Sequence, residues 1–410
     1  MWSPVKNILI FFIKNKNFYK NLKSRATTQG RPYGKIIFAL LLILSLSAVL
    51  TSCTGISVQT EDFTAMGTTV ESTVITTRDA LGKEINQRIK EICGEANGRI
   101  SNTAETSEIY KFNLYSKTAS TAGINYQLTE ETAGLLSTSK YIQEQTKGAF
   151  NPFLGDITDL WDINNLDPNA IHNLPEKADF YPALDRLKNF GYSYDIQDNP
   201  DGTVSFVSNL SAPKIDLDRI SKGYALDCVS GYLVGEKGIQ NALIDFGSSV
   251  LALGKNKSGN LWNISVKDPV NPEKICGYIS AEDKVVSISG GYQKYITING
   301  VKYCNIIDPA TGYPVDNDLL CVAVVMNARN IAQTKDRQEI YKNEGAIADA
   351  LSTALYVMGK DKAIDFYNNT DFRTNPELEF DMILFVKNDG VKRGYDILPL
   401  NVMFSEVREK

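Results

Sequence analysis

Ala346-Ile347-Ala348-Asp349-Ala350-Leu351-Ser352-Thr353 is a run of good helix formers in which a carboxylate and a hydroxyl stand four residues apart. At about 3.6 residues per turn, the oxygens of Asp349 and Thr353 leave the same helix face, one turn apart. A carboxylate beside a neutral oxygen suits a hard cation such as Mg²⁺, which takes few protein oxygens and keeps places for water and phosphate. The same spacing also describes an ordinary polar stripe on a solvent-facing helix, where a surface carboxylate adds little to stability. The surroundings must decide between the two.

Working outward, the helix is expected over Ala346–Met358. Before it, Leu320–Val325 is an unbroken apolar run, the mark of a buried strand; after it, Met382–Val386 is a strand expected to close a sheet. Thr68–Thr76, Ala242–Ile244, Trp262–Val266, Val285–Ile288 and Tyr295–Ile298 are further short strand candidates separated by turns. Asp79–Arg99 carries Leu81, Ile85, Ile89 and Ile92 at helical spacing, with Asp79 as candidate N-cap. Thr129–Thr146, ending near Gly148, and Arg219–Val234 read as two more helices. The polar, turn-rich stretch Asp162–Asp179 reads as a surface insertion. Strands and helices mix without a strict βαβ alternation, which argues an α+β fold of mixed or antiparallel sheets with packed helices.

The N-terminus reads as an address. Lys6, Lys14, Lys16, Lys20, Lys23, Arg25, Arg31 and Lys35 precede Ile36–Leu50, an apolar run without charge, and Leu50-Thr51-Ser52-Cys53 follows. The run is short for a membrane span and right for a signal-peptide core. The arrangement is similar to a bacterial lipoprotein signal: residues 1–52 removed, Cys53 lipidated, residues 53–62 a short tether, and residues 63–410 the folded domain. Everything after Cys53 is then extracytoplasmic, lipid-anchored to the bacterial cell membrane. A retained N-terminal anchor with an incidental Cys53 is the alternative. The formal net charge of −5, with no basic block beyond the signal, disfavours nucleic-acid binding. Cys93, Cys228, Cys276, Cys304 and Cys321 show no metal-type spacing and read as buried apolar thiols, although outside the cytoplasm a disulfide is open to them.

Six blocks carry more than any of these features alone. They are Ala65-Met66-Gly67-Thr68, Gly148-Ala149-Phe150-Asn151-Pro152, the run from Ile215 through Asp218-Arg219-Ile220-Ser221-Lys222-Gly223-Tyr224 to Asp227, Ser289-Gly290-Gly291-Tyr292, the run from Asn305 through Asp308-Pro309 to Pro314, and Ala348-Asp349-Ala350-Leu351-Ser352-Thr353. In this order they resemble the FAD:protein FMN transferases, the ApbE family of bacterial flavin transferases, from about Phe63 to Gly359. The resemblance implies a flavin transferase architecture, T-fold-like. It also implies an enzyme that splits FAD between its phosphates, attaches FMN to a Ser or Thr hydroxyl of another protein, releases AMP, and needs Mg²⁺.

Carried onto this chain, the resemblance makes Asp349, Thr353 and the backbone carbonyl of Ser221 the metal ligands. It makes Lys222 and Asp227 cofactor residues. A Lys at a helix start followed by Gly223 would let backbone approach a ligand closely, while a Lys–Asp pair on a solvated helix face is the plain alternative. Gly247 and a Ser289-Gly290 turn are expected as close-approach loops, with Ser248 standing where the family has a second glycine. Met66 is expected to line the flavin or adenine wall, or to be a core methionine. Ser107 and Glu108 are expected on a helix facing the cofactor; Ser101-Asn102-Thr103-Ala104 supplies no aromatic to stack on adenine. Asn305 stands where the family carries His. It cannot accept a proton at neutral pH, but it can orient a hydroxyl or phosphate oxygen. Asp308 is the carboxylate nearest to it in sequence, and is equally suited to capping a turn before Pro309. His172, the only histidine, lies in the polar insertion and is a poor substitute.

The leading expectation is a membrane-tethered, Mg²⁺-dependent transferase with FAD as substrate. Its expected acceptors are flavoproteins of redox-driven ion pumps or FMN-binding electron carriers. FAD pyrophosphatase activity (FAD to FMN and AMP) is the alternative within enzymes. A non-catalytic flavin-binding lipoprotein is the alternative outside them.

Overall fold

The computed structural model describes residues 55–118, 123–164, 167, 170–328 and 343–407. The signal-like segment and Cys53 lie outside the described residues. In chain order the elements are β1 (Ser57–Ala65), β2 (Thr68–Thr76), α1 (Asp79–Ile100), α2 (Glu108–Thr118), β3 (Ile124–Leu128), α3 (Glu130–Gln145), α4 (Gly155–Leu160), α5 (Lys177–Phe190), β4 (Asp195–Asp198) and β5 (Val204–Ser208). There follow α6 (Ser221–Ser230), β6 (Ala242–Asp245), β7 (Ser249–Leu253), β8 (Trp262–Lys267), β9 (Ile275–Ala281), β10 (Lys284–Gly290), β11 (Tyr295–Ile298) and β12 (Val301–Cys304). The chain ends with β13 (Leu319–Asn327), α7 (Glu344–Met358), α8 (Lys360–Asn369), β14 (Phe380–Lys387), β15 (Tyr395–Leu400) and β16 (Phe404–Glu406).

The organising element is an eight-stranded sheet, ordered β1-β2-β6-β7-β10-β13-β14-β15. Every neighbouring pair in it is antiparallel. Because side chains alternate along a strand, each central strand feeds two cores. Leu251, Val285, Val322, Val324, Met382 and Leu384 join the helices in one core. Their neighbours Val250, Ala252, Val286, Ile288, Ala323, Val325, Ile383 and Phe385 pack in the other, with Trp262, Ile264 and Ile279 of the three-stranded β16-β9-β8 sheet. A buried sheet covered on both faces explains why Leu320–Val325 reads as continuously apolar. The mixed α+β architecture expected from the sequence is the one found.

Several expectations change in detail. Residues 57–62, expected to be part of a tether, pair with β2 instead. Arg78, not Asp79, occupies the N-cap position of α1, and the Asp79 carboxylate instead accepts from Ser57 Oγ at 2.6 Å, tying helix to strand. The single helix expected over Arg219–Val234 is α6 followed by a π-helical turn, Gly231–Glu236. Met382–Val386 belongs to β14, which does not close the sheet; β15 lies outside it, paired Met382 to Leu400. The polar insertion ends earlier than Asp179, because α5 starts at Lys177. The five cysteines are free thiols, and Cys93, Cys276, Cys304 and Cys321 are buried. Among the described residues no helix is long and apolar enough to cross a membrane.

α7 is buried along nearly its whole length, from Glu344 to Tyr356. It is therefore not the amphipathic surface helix that a polar stripe suggests, and its polar residues must find partners inside the protein.

Candidate active site

On the helix-facing side of the central strands β7 and β10 there is a polar notch. Ser249 of β7 and Ser287 of β10 are cross-strand partners whose hydroxyls lie 2.9 Å apart. Asp349 of α7 points at them. Its Oδ1 accepts from Ser287 Oγ at 3.0 Å and from Ser249 Oγ at 3.3 Å, while its Oδ2 accepts from the Gly223 backbone N–H at 3.1 Å. One turn further on, Thr353 Oγ1 lies 3.1 Å from Ser289 Oγ, which is also 2.8 Å from Ser352 Oγ. Asp349 and Thr353 are each only 5 % exposed. The shared face expected from their spacing is real, but it is an interior one. Asp349 is thus no surface carboxylate of little structural worth; it holds α6, α7 and the sheet together.

α6 packs closely against α7 at two glycines. A side chain on Gly223 would overlap the backbone of Gly345, and one on Gly345 would lie 2.7 Å from Asp227 Oδ1. Close packing against a neighbouring helix is therefore by itself a reason for glycine at 223, one that the sequence reading did not offer. Asp227 spans the same junction: its two carboxylate oxygens accept from the Gly345 and Ala346 backbone N–H groups, both at 2.8 Å. It caps α7 from another helix, satisfying two donors that the first turn leaves open. Burial, reinforced by the nearby Glu344 and Asp349 charges, pushes its carboxyl well above the usual range despite those two N–H donors. Ser221 opens α6 two residues before Gly223, which puts its carbonyl on the segment that Asp349 grips.

The loops at this end of the sheet converge. Met66 and Gly67, with φ of 48° and 68°, form the two-residue turn between β1 and β2 that only primed turns allow. Met66 is partly buried against the helix-side core. Thr68 Oγ1 donates to the Phe246 carbonyl at 3.4 Å, joining this turn to the one containing Gly247. Gly247 has φ of 79°, is exposed, and would meet nothing nearer than Thr68 Oγ1 at 4.0 Å. It remains open to a close approach. Ser289 and Gly290 are not a turn as expected: they are the last residues of β10. Gly290 is needed because Cys321 and the Leu320 carbonyl press on it, at 2.6 and 2.8 Å from a notional Cβ.

Other expected site residues have structural duties. Ser107 Oγ donates to the Arg99 carbonyl at 2.8 Å and accepts from Ile109 N–H at 3.2 Å, capping α2. Glu108 takes the backbone and hydroxyl of Thr129 at 2.8 and 2.6 Å. Asp308 folds its own loop, accepting from Ala310 N–H at 2.9 Å and Thr311 Oγ1 at 3.1 Å, as a turn-capping residue before Pro309 does. His172 pairs with Asp162 at 3.4 Å within the irregular segment. Asn305 is 6 % exposed and contacts Arg219, whose Nη2 donates to the Asn305 backbone carbonyl. Lys222 stands at the start of α6, and its charge reaches Lys294, whose ammonium is held below its ordinary value first by burial and then by Lys222 and Arg219.

Against this geometry, a family model described as the ApbE family matches residues 66–374. The chain belongs to the ApbE family. The FAD:protein FMN transferase of Vibrio cholerae is 25 % identical over 283 residues, covering 69 % of this chain and 75 % of that protein. That of Treponema pallidum is 29 % identical over 244 residues, covering 56 % and 60 %. Among solved structures, the ApbE protein of Thermotoga maritima superposes with a TM-score of 0.65 at 26 % identity, covering 84 % of this chain and 97 % of that one. The flavin transferase ApbE from Vibrio cholerae gives 0.64 at 22 % identity, covering 85 % and 98 %, and so shares the fold.

In this ApbE-family chain the notch is chemically suited to a hard cation. Its one carboxylate receives only neutral donors, and the rest of the set is hydroxyl oxygen. Among the described residues no cluster of three or more His, Cys, Asp or Glu side chains exists, so any cation here would rely on one carboxylate, hydroxyls and backbone. Sequence reading missed Ser249, Ser287 and Arg219. Ser287 and Ser289 had a signal, since they alternate with Val286 and Ile288 in a strand otherwise apolar. Arg219 had none, because its partner is 86 residues away.

Proposed function

We propose that this protein transfers FMN from FAD to a Ser or Thr hydroxyl of an acceptor protein, releasing AMP, with Mg²⁺ held by Asp349, Thr353 and the Ser221 carbonyl. The observation that carries the reading is the buried Asp349 carboxylate. It is surrounded by hydroxyls and an N–H in a chain whose ApbE-family match spans it. Relatives named FAD:protein FMN transferase support the substrate and the reaction class.

In the reaction the acceptor oxygen bonds to the FMN phosphorus and the bond from that phosphorus to the oxygen bridging to AMP breaks. AMP keeps the electron pair, and the hydroxyl proton passes to it or to solvent. Mg²⁺ supplies charge neutralisation of the pyrophosphate. The chain's own contribution is positioning: Ser287 and Ser249 orient Asp349, Ser289 orients Thr353, and the open Gly247 turn leaves room for a ligand. Little basic assistance is needed for a loose phosphoryl transition state, which is compatible with Asn305.

The test is incubation with FAD, Mg²⁺ and an acceptor domain from a flavin-carrying pump subunit or an FMN-binding electron carrier, with the acceptor mass read. Covalent FMN on the acceptor, which fails to form when EDTA is present from the start, is the expected result. AMP release without any mass gain would replace transfer by hydrolysis. The reading includes location: Cys53 is the lipidated residue of an extracytoplasmic, membrane-anchored protein. Cys53→Ala should then leave the protein unprocessed or unanchored, and wild-type protein in the cytoplasm with residues 1–52 retained would defeat it.

A further inference from the structure

Asn305 is a buried clamp rather than a free side chain. With its amide turned to satisfy both ends, Oδ1 accepts from Arg219 Nη2 at 2.9 Å and Nδ2 donates to the Lys294 carbonyl at 3.3 Å. Its backbone joins in: the N–H donates to the same Lys294 carbonyl at 3.0 Å, and the carbonyl accepts from Arg219. Three segments are fixed by this residue, namely the loop before α6, the residue before β11 and the residue after β12. Each amide end already has a protein partner, which leaves Asn305 poorly placed to hold a reacting group. Arg219 differs. It is only partly buried, and a guanidinium has five N–H donors, of which the clamp takes those of one terminal nitrogen. Lys222 lies three residues along the same segment, and Lys294 is bound to the same clamp. None of these three cations forms an ion pair among the described residues, although Asp218 also faces Lys294. An arginine held in one orientation, beside unpaired lysines and next to the segment that Asp349 grips, is arranged for an anion with several oxygens.

We propose that Arg219 is a further catalytic residue of the transfer, contacting the pyrophosphate of FAD, and that Asn305 is a positioning residue acting through it. The proposal rests on the FMN-transfer reading. Its physical content is that a permanently charged fork, oriented before substrate arrives, stabilises the charge that gathers on the phosphate oxygens as the bond to AMP breaks.

The experiment compares wild type with R219Q, R219K, N305A and the R219Q/N305A double variant. Folding is checked by melting, and kcat and KM for FAD are measured separately. R219Q should lower kcat about 10²–10³-fold, the size seen when one transition-state donor is removed. R219K should recover at least about tenfold of that loss, since it restores charge without the fork. N305A should cost about tenfold in kcat with its melting temperature near wild type, and the double variant should lie within about threefold of R219Q, because Asn305 has nothing left to position. A folded R219Q with kcat within about threefold of wild type would overturn the proposal. So would full additivity in the double variant, which would mean that Asn305 acts independently. Should R219Q not fold, R219K and N305A carry the test, and wild-type rates in both overturn it. A folded wild-type protein that neither transfers FMN nor hydrolyses FAD would sink the transferase reading instead. Arg219 would then be judged by calorimetric binding of inorganic pyrophosphate, expected to weaken about tenfold in R219Q, an unchanged affinity overturning it.

Discussion

The two faces of β10 carry opposite instructions. Val286 and Ile288 point into the core shared with the three-stranded sheet, which receives Trp262, Ile264 and Phe385. Ser287 and Ser289 point the other way and meet Asp349, Ser352 and Thr353 of α7. One strand thus separates a dry scaffold from a hydroxyl-lined notch, with a period of two deciding which residue serves which. On the proposed FMN-transfer reading, the second sheet stiffens the platform and the helix layer carries the chemistry. Damage to one face should therefore appear in stability, and damage to the other in turnover.

The sharpest way to break that comparison is Asp349→Ala. FMN transfer should fall by about 10³-fold or more if this carboxylate is the charged metal ligand. Because the Gly223 N–H and the Ser287 and Ser249 hydroxyls lose their acceptor, stability should fall as well, by about 1–3 kcal/mol for each group left unsatisfied. Denaturant titration separates the two effects, and Asp349→Asn should retain most of the stability without the activity. Undiminished transfer in either variant would refute the site. Ile288→Ala, on the opposite face, should cost about 2–4 kcal/mol of stability through the cavity it leaves while the folded fraction keeps its kcat. A selective loss of turnover there would show that the two faces are not independent.

Ionisation offers a third test, through a buried carboxyl beside the helix layer. The Asp216 carboxyl, in the loop leading to α6, is pushed up to about 6 by burial and by the neighbouring Asp218 charge, from an ordinary 3.8. A raised acid favours the protonated folded state, so the stability it contributes is fully present below pH about 4 and is lost as pH rises through about 6. The magnitude is on the order of 2–3 kcal/mol. Asp216→Asn, which keeps the acceptor for the Asp218 N–H without the charge, should flatten that dependence in melts between pH 4 and 7.5, and an unchanged profile would rule out Asp216 as its source. Thr353→Val should have the smallest effect, a loss of about tenfold or less in transfer, because water can replace a neutral oxygen ligand. A loss as deep as that of Asp349→Ala would mean that Thr353 does more than complete the cation's oxygen set.

What sequence could and could not provide follows from the range of the interactions. Periodicity placed α1, α3, α6 and α7 and the strands β2, β6, β8, β10, β11, β13 and β14, because helix and strand formation depend on neighbours a few residues apart; it did not place α4, α5, α8 or the sheet formed by β3, β4 and β5. Tyr295–Ile298 was located to the residue, and the α3 boundaries to within one residue at each end. The order of short blocks identified the ApbE family. Local reasoning fell short where packing between distant elements governed the outcome: Asp79 ties to Ser57, Gly223 makes room for Gly345, and Gly290 yields to Cys321.

By itself, then, the sequence determined the α+β class, the family, and the four-residue spacing that sets Asp349 and Thr353 on one helix face. Tertiary structure alone decided that this face is buried, that Ser249 and Ser287 orient its carboxylate, and that Asp227 is turned to cap α7. It alone brought Arg219 to Asn305 across 86 residues. The physical reason is that a side chain's partners in a folded protein are set by the sheet's order and the close approach of helices. Neither is written in any window of the chain shorter than the fold.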